Sequence, residues 1–584
     1  MKKTIYNMIC AVCLAGIVTG CADFLEIKPQ SEIILEDFWN EKADVDAVVA
    51  GCYAALQADP VIRRMMVWGE FRSDNVMAGL DSNRDGNLFN IFKENITAKN
   101  YYTTWDCFYT VINRCNTVIK YAPDVADRDP GYTTSELKAT IAEVSALRDL
   151  CYFYLIRAFR DVPYTTEAVT DDDQEMQLPA TDFDTVLNSL IADLESVRGD
   201  AIARYPETKP EYQTGRITRD AINAMLCEMY LWKKDYQQCI NYADEVINFH
   251  KQIEDEYIKK YGLTDESKTR TNGYPLASNV ISNSRFGNAF NTLFVNGNAR
   301  ETIFELVFDN TEAGHSMPSN SAAGEWYGNS NVSQGRVAPS SYVVEDKDKD
   351  SQRGVFADEN KKVDARMYYN FTEAGNISKM VYRGVTISTS GSKPATLFSG
   401  KYTYAKIDNV DHWYTSSNWI IYRLSDIMLL KAEAICQQMK VGSDADIVAY
   451  NAPLLAAAFD LVDAVNKRSL CEMSLTSVLN SKNYTTKLQM EELVMKERQR
   501  ELMFEGKRWF DLVRRSLREG NNSALISAVS HRVGPNGQLM QNFFGNTSLW
   551  DRTIFWPYNY DETVVNKKLT QNPAYGDGVN SSIK

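Results

Sequence analysis

The chain has 584 residues, a formal net charge of −14 at pH 7, and a composition that is 44% hydrophobic. That length is ample for a large core, and the acidic balance argues against nucleic acid as a partner. After residue 20, no apolar stretch is long enough to span a bilayer, which takes roughly 20 residues. The best candidate, residues 453–465, is broken by Asp460 and Asp463. We therefore expect a soluble body.

The first 20 residues have the pattern of a secretory signal. Lys2 and Lys3 give a positive start, residues 5–18 are apolar, and the sequence VTGC places small residues directly before Cys21. Because the run is short and ends at a cleavage site, it is excluded from the fold. The pattern is that of a lipobox, which predicts that Cys21 is lipidated and that residues 21–43 form a tether. The alternative is an ordinary cleaved signal in which this cysteine stands by accident.

The remaining cysteines indicate neither a disulfide framework nor a metal site. They show no C-x-x-C spacing and lie mostly in apolar helical patterns, which favours buried free thiols. The run from Asp346 to Asp350 imitates the start of a calcium loop. However, Ser351 stands where the turn glycine belongs, and Ala357 stands where the bidentate glutamate belongs. We expect no metal and no cofactor. The eight cysteines of the mature chain are Cys52, Cys107, Cys115, Cys151, Cys227, Cys239, Cys436 and Cys471.

Helical periodicity dominates both ends of the body. Apolar residues recur at three- and four-residue spacing within residues 44–250 and again within 419–584, which predicts a mostly α-helical fold. Residues 218–249 form two helices around a tight turn, as in a tetratricopeptide pair, and residues 422–468 look like another such pair. The predicted helices are Asp44–Gln57, Trp105–Tyr121, Ser135–Phe159, Asp182–Val197, Thr218–Trp232, Tyr236–Phe249, Tyr422–Met439, Leu454–Arg468 and Gln489–Phe504.

Two stretches lack that periodicity. Residues 68–87 are polar and rich in turn residues, which predicts a loop. Residues 251–418 are rich in Gly, Asn, Ser and Tyr, with short strand-like runs such as residues 302–308. A structureless loop of that length is improbable in a compact domain, so we expect an irregular layer of loops, short helices and a few short strands over the helical scaffold. The whole of residues 44–584 is then a single domain, whose irregular layer is the expected place for binding.

Four stretches, taken together and in order, resemble the RagB/SusD family of outer-membrane nutrient-binding lipoproteins. The ending departs from the family pattern in one respect, because Ala574 stands where glycine is commoner. Charges of both signs interleave at helical spacing in the third stretch, which favours paired charges between helices, with transporter contact as the alternative. The matching stretches are Cys21–Pro29, Tyr422–Ala434, Glu497–Leu512 and Leu569–Tyr575.

The resemblance implies a scaffold of about four tetratricopeptide-like helix pairs with an irregular ligand-binding face. Proteins of this family sit on the outer face of the outer membrane as a lid on a SusC-like TonB-dependent transporter. They capture oligosaccharides, or sometimes other nutrients, and pass them into the barrel. The resemblance implies no catalysis.

Aromatic residues in the irregular layer are the first candidates for ligand contact. Sugars present apolar C–H faces and a rim of hydroxyls, so their sites combine aromatic platforms with planar polar groups. Trp326 and Tyr327 lie between glycines, a composition that argues against core packing. Trp413 and Tyr414 form a second cluster. They directly precede a possible strand at residues 418–422, so burial is the alternative for that pair.

The loop at residues 68–87 supplies the polar candidates. Asp74 and Asn75 match a position at which the family often has a polar pair near its binding face, and Arg84 follows in the same loop. The alternative is that Asp74 and Asn75 only cap the loop.

Two other classes of function stay open. A surface glycoside hydrolase would need only two suitably spaced carboxylates, which spacing along the chain cannot exclude. Against an enzyme, the sequence has no G-x-S-x-G, H-E-x-x-H, G-x-G-x-x-G or P-loop motif and only four histidines. The second alternative is a helical-repeat adaptor that binds proteins alone.

Overall fold

A computed structural model gives the fold of most of the body. It describes residues 38–79, 82–171, 173–263, 270–277, 288–308, 321–327, 336–344, 354–356, 364, 366, 370–373, 397–399, 417–470, 479–530 and 542–576. Cys21, Trp413, Tyr414 and the calcium-like run lie outside these ranges. Seven cysteines lie within them, all as free thiols, and six of the seven are buried.

Eight helices in the described ranges form four consecutive antiparallel pairs. Each pair packs on the next through neighbouring helices, so the core runs the length of the stack. The mostly α-helical fold with about four tetratricopeptide-like pairs is therefore confirmed. The pairs are α1 (Lys42–Leu56) with α2 (Asp106–Arg128), α3 (Thr134–Phe159) with α4 (Phe183–Val197), α5 (Arg219–Lys233) with α6 (Tyr236–Tyr261), and α7 (Leu424–Gln438) with α8 (Ala445–Arg468).

Local sequence signals set several helix ends. Thr133 and Glu136 form a capping box at the start of α3, in which each side chain bonds the other's backbone N–H. Between α5 and α6, Lys234 adopts the left-handed conformation with φ 66°, and the Asp235 side chain accepts a hydrogen bond from the backbone of Gln238. This tight turn makes the two helices antiparallel neighbours.

The C-terminal part continues with α9 (Lys487–Leu502) and α10 (Arg508–Glu519), which pack on the scaffold and on the early loop. Further helices span Ser523–Ser530, Trp550–Thr553 and Tyr560–Val565. Other short helical segments are Asp59–Met66, Val67–Phe71, Ser82–Arg84, Gly86–Phe92, Tyr101–Thr103, Pro210–Gly215, Asn288–Phe290, Asn291–Asn296, Ser321–Tyr327, Ser341–Val344, Gly354–Phe356, Ser481–Asn483 and Pro573–Tyr575.

The strands of the described ranges pair in antiparallel twos. Strands β4 (Thr302–Leu306) and β8 (Trp419–Arg423) connect the irregular layer to the scaffold. They are buried along their whole length and pair from Thr302 with Arg423 to Leu306 with Trp419. Strands β1 (Val76–Ala78) and β5 (Val337–Pro339) connect the layer to the early loop, with Met77 paired to Ala338. The strands are β1 Val76–Ala78, β2 Val162–Pro163, β3 Ala180–Thr181, β4 Thr302–Leu306, β5 Val337–Pro339, β6 Phe371–Glu373, β7 Leu397–Ser399 and β8 Trp419–Arg423.

The prediction of an irregular loop over residues 68–87 is wrong in part. The segment contains a π-helical turn at Val67–Phe71 and strand β1, and it ends in the start of a helix at Gly86. These elements depend on partners elsewhere in the chain, such as β5, which local composition does not reveal.

Helix α8 starts at Ala445, earlier than the predicted Leu454. Its first half lies mostly exposed, with Pro453 inside the helix, and therefore lacks the apolar periodicity of a packed face. By length and composition this helix would also qualify as a membrane span. Its second half nevertheless packs on α7 and α9 through Leu461, Val462 and Val465, so here it serves as a scaffold helix.

Candidate ligand-binding site

The charged stretch of α9 and α10 forms a buried ion-pair network. Arg498 is 1% exposed and donates to Asp426 of α7 at 2.8 Å and to Asp511 of α10 at 2.9 Å. Burial alone would raise the pKa of Asp426, but Lys507 and Arg498 outweigh it and lower that pKa to about 2. The interpretation of this stretch as charges that hold helices together is confirmed.

Asp74 and Asn75 are anchors inside this network. Both are buried, and Arg508 donates two hydrogen bonds of 2.8 Å to the Asp74 carboxylate. Gln499 donates to Asp74 Oδ2 at 3.0 Å and to Asn75 Oδ1 at 2.8 Å. Asp74, Gln499 and Arg508 also line a cavity of about 660 Å³, and the ligand-binding role of Asp74 and Asn75 stays a prediction. The arrangement differs from a local loop cap, because these partners come from the far end of the chain.

Glu70 joins the early loop to the turn between α9 and α10. Its carboxylate accepts hydrogen bonds from Asn75 Nδ2 at 2.7 Å and from the backbone N–H groups of Phe504 and Gly506, both at 3.1 Å. Complete burial raises the pKa of Glu70 to about 7, against these hydrogen bonds, which lower it. The two backbones approach so closely that a Cβ on Gly69 would lie 1.9 Å from the Gly506 carbonyl oxygen.

Trp326 and Tyr327 belong to the core, which corrects the inference that their glycine-rich surroundings argue against burial. Both side chains are 0% exposed. The Trp326 ring lies 5.2 Å from Phe71 and 5.6 Å from Tyr102, and the Tyr327 hydroxyl donates to the Phe504 carbonyl oxygen at 3.1 Å. In this position neither ring can contact a ligand directly, and Trp326 instead supports the surface above it.

That surface carries a row of half-buried charges, Arg63, Glu325, Arg336 and Asp85, which ends at the hydroxyl of the buried Tyr102. We call these five residues the charge ladder. The Arg63 guanidinium stacks 4.6 Å above the Trp326 ring and donates to Glu325 at 2.6 Å. Arg336 pairs with the second Glu325 oxygen and lies 3.8 Å from Asp85, which accepts a 2.6 Å hydrogen bond from the Tyr102 hydroxyl. The four charged side chains are 15–27% exposed.

Two exposed residues directly precede members of the ladder in the chain. Arg84 is exposed at the end of the turn Ser82–Arg84, directly before Asp85, which caps the next helix by accepting from Leu88 N–H at 3.0 Å. Tyr101 is 48% exposed, and its ring lies 5.3 Å from the ring of Tyr102. We call the ladder together with Arg84 and Tyr101 the ladder face.

Each carboxylate of the ladder faces a guanidinium. Burial together with the hydrogen bond to Asp85 raises the pKa of Tyr102, which keeps that hydroxyl protonated. The ladder thus presents fixed donors and acceptors at its half-exposed edge, where hydroxyl groups can form hydrogen bonds.

Of the predicted site residues, the structure places only Arg84 on this face. Trp413 and Tyr414 lie outside the described residues, as does Cys21, and their roles stay predictions. Sequence reasoning missed the ladder itself, although Glu325 adjoins the singled-out Trp326 and Asp85 adjoins Arg84. Among the described residues, no group of His, Cys, Asp or Glu has the arrangement of a metal site.

A stack of helix pairs of this kind defines a helical-repeat scaffold. Residues 233–575 match the family model described as the SusD family, and residues 23–231 match one described as starch-binding, associating with outer membrane. The chain belongs to the SusD family.

Full-length relatives support this assignment. Two SusD-like proteins of Formosa agariphila are 25% and 24% identical, with 96% and 98% of this chain covered and 97% and 100% of theirs. A solved SusD homologue from Bacteroides thetaiotaomicron superposes with a TM-score of 0.65 at 17% identity, covering 92% of this chain and 98% of its own. A structure described as a laminarin-binding SusD-like protein has a TM-score of 0.58 at 18% identity, covering 92% and 100%.

Proposed function

We propose that the protein is a cell-surface lipoprotein that captures an oligosaccharide at the ladder face and delivers it to a SusC-like TonB-dependent transporter. Membership of the SusD family, with a laminarin-binding structural neighbour, supports the ligand class. The description of the second matching family model supports a place at the outer membrane. Lipid at Cys21 is the proposed anchor, facing the cell exterior.

The ladder face is the observation that carries the glycan assignment. It combines planar guanidinium and carboxylate groups with an exposed tyrosine ring and the exposed Arg84, which directly precede Tyr102 and Asp85 in the chain. Planar polar groups match pairs of sugar hydroxyls, and an aromatic ring packs against the apolar face of a pyranose. Because Arg63 and Arg336 already pair with acids, a neutral glycan fits better than a strongly charged ligand.

The same geometry favours binding over catalysis. A glycoside hydrolase needs one carboxyl group that stays protonated as the general acid, beside a second that is ionised. At the ladder, both carboxyl groups, Glu325 and Asp85, are engaged in ion pairs with Arg336. A glycan incubated with the protein should therefore be recovered intact. Cleavage products that vanish in Glu325→Gln would instead identify an enzyme.

Calorimetry on residues 22–584 with a panel of neutral oligosaccharides, laminarin fragments among them, tests the site. Arg84→Ala and Tyr101→Ala should each weaken binding by about tenfold, the scale of one aromatic or charge-assisted contact. Matched controls are Arg128→Ala, which removes an exposed arginine elsewhere, and Tyr450→Ala, a tyrosine that is 45% exposed. Unchanged affinity in both ladder-face variants would place the site elsewhere. Saturable binding in the wild type would count against an adaptor that recognises proteins alone.

Membrane attachment and delivery need a separate test. Cys21→Ala should release the protein from the membrane while leaving oligosaccharide affinity unchanged, because a lipid anchor and the ladder face are independent. Pull-down of the wild-type lipoprotein should recover a TonB-dependent barrel. A protein that stays anchored at the cell surface after Cys21→Ala would contradict the lipobox assignment.

A further inference from the structure

A cavity opens on the α5–α6 pair. It shares no residue with the ladder face. Its volume is about 370 Å³, at the lower end of the roughly 300–1,000 Å³ typical of ligand pockets. It lies between the second half of α6, the segment 204–214 and residues 298–303. We call it the α6 cavity, and the residues that matter most are Asp220, His250, Tyr257, Tyr261 and Arg300.

The charges around the α6 cavity cancel in pairs. Each basic group at its wall or mouth has an acidic partner within ion-pair distance, so the described wall has no surplus of either sign. A neutral ligand therefore fits it better than a phosphate, a carboxylate or an ammonium group. The pairs are Arg204 with Glu256 at 2.5 Å, Lys260 with Glu207 at 2.6 Å, Arg300 with Glu254 at 3.2 Å, and His250 with Asp220 at 2.9 Å.

The floor is a fixed histidine–aspartate pair. His250 Nδ1 lies 2.9 Å from the Arg300 carbonyl oxygen and Nε2 lies 2.9 Å from Asp220 Oδ2. Because carbonyl and carboxylate oxygens accept, this placement favours the charged ring, in which both nitrogens donate. Burial lowers the pKa of His250, but the Asp220 carboxylate and the two hydrogen bonds outweigh it and raise that pKa. The pair holds the floor in one orientation.

Aromatic rings form part of the wall. The rings of Tyr257 and Tyr261 are 4.6 Å apart, Arg300 stacks 3.6 Å from the Tyr257 centroid, and Tyr261 is 58% exposed at the mouth. The exposed ring of Tyr261, supported by Tyr257, thus offers an apolar platform at the mouth of the cavity.

We propose that the α6 cavity is a second carbohydrate site, which holds one neutral sugar ring with its apolar face against Tyr261, whose ring is supported by Tyr257. The ligand class rests on the proposed function, whereas the site itself does not, because it has its own residues. A second site on the same chain would let one long glycan, or two chains of a polysaccharide, engage the protein at two points. Linked contacts of that kind raise the overall affinity without a new contact at either site.

Saturation-transfer NMR on residues 22–584 with D-glucose, D-galactose, D-mannose and D-xylose, each alone, tests the proposal. At least one sugar should give a signal from its C–H protons that persists in Arg84→Ala/Tyr101→Ala. Tyr257→Ala/Tyr261→Ala should lower the affinity for that sugar by about tenfold or more. Tyr257→Phe/Tyr261→Phe should restore it, because both rings remain. The single variant Tyr261→Ala, at an exposed position, tests the same wall without risk to the fold.

The outcomes separate this proposal from the proposed function. A sugar signal that is unchanged in every α6 cavity variant, or no signal from any of the four sugars, overturns the second site. Either result leaves the ladder face to be judged by oligosaccharide calorimetry alone. Conversely, calorimetry that shows no effect at the ladder face, together with a signal lost in Tyr261→Ala, would make the α6 cavity the binding site of this chain.

Discussion

Arg498 and Arg336 each stand between two carboxylates, one inside the protein and one at its surface. Arg498 is 1% exposed and holds Asp426 and Asp511, whereas the Arg336 side chain is 24% exposed beside Glu325 and Asp85. The buried guanidinium is enclosed by its protein partners. The half-exposed one has an edge open to water, which a sugar hydroxyl can replace. Exposure, rather than residue type, separates the scaffold from the candidate site.

Removal of a buried charge should have the largest effect on stability. Arg498→Met leaves the buried Asp426 and Asp511 without their shared guanidinium, and breaking such a pair typically costs about 3–5 kcal/mol. Chemical denaturation should report that loss in the free energy of unfolding. Arg128→Met, at an exposed position, is the control and should change little. If Arg498→Met lowers the free energy of unfolding by less than Arg336→Met does, burial does not distinguish the two regions.

Glu70 provides a pH test of the buried region. Its pKa is near 7 in the folded protein and near 4.5 ordinarily, so the folded state keeps the proton to higher pH. Glu70 therefore contributes its full stabilisation below pH 4.5. The free energy of unfolding should fall by about 3 kcal/mol at most as the pH rises through about 7. Glu70→Gln cannot ionise, so its unfolding free energy should fall less between pH 4.5 and 7.5. An unchanged slope relative to wild type and to Glu211→Gln would contradict the assignment.

The close approach of two backbones predicts an intermediate effect. Gly69→Ala should cost about 1–3 kcal/mol, because its Cβ must displace the Gly506 carbonyl that would otherwise lie 1.9 Å away. The control is Gly86→Ala, where a Cβ meets nothing within 4 Å. Equal melting temperatures for the two variants would mean that the turn at Gly506 can move without cost.

The smallest stability effect is expected at the ladder. Arg336→Met should cost less than about 1 kcal/mol, as is usual for ion pairs that water can reach. It should nevertheless weaken oligosaccharide binding about tenfold, because the ladder loses its central donor. Calorimetry and denaturation on the same sample separate the two effects. If Arg336→Met greatly lowers the free energy of unfolding but leaves the affinity unchanged, Arg336 stabilises the fold and does not bind the ligand.

Sequence periodicity predicted the helical scaffold because helices repeat their burial pattern over short distances. The ladder could not be found that way, since Arg63 and Glu325 are 262 residues apart. Trp326 was misjudged for a related reason. Its glycine-rich neighbours suggest a loop, whereas the packing of Phe71 and Tyr102 against its ring depends on the fold of a distant segment. The exposure of Arg84 could be predicted from the sequence, because a charged residue in a turn usually lies at the surface.

The hydrogen bonds from Arg508 to Asp74 join residues 434 positions apart. Because a chain is synthesised from its N-terminus, the early loop can reach these partners only after nearly the whole protein has been made. β1 follows Asn75 directly and pairs with β5, and the turn that bears Arg84 comes just after it. Helix α10 therefore anchors the segment that leads through β1 towards the ladder face. We expect a chain that lacks α10 to leave the buried Asp74 carboxylate without its guanidinium partner.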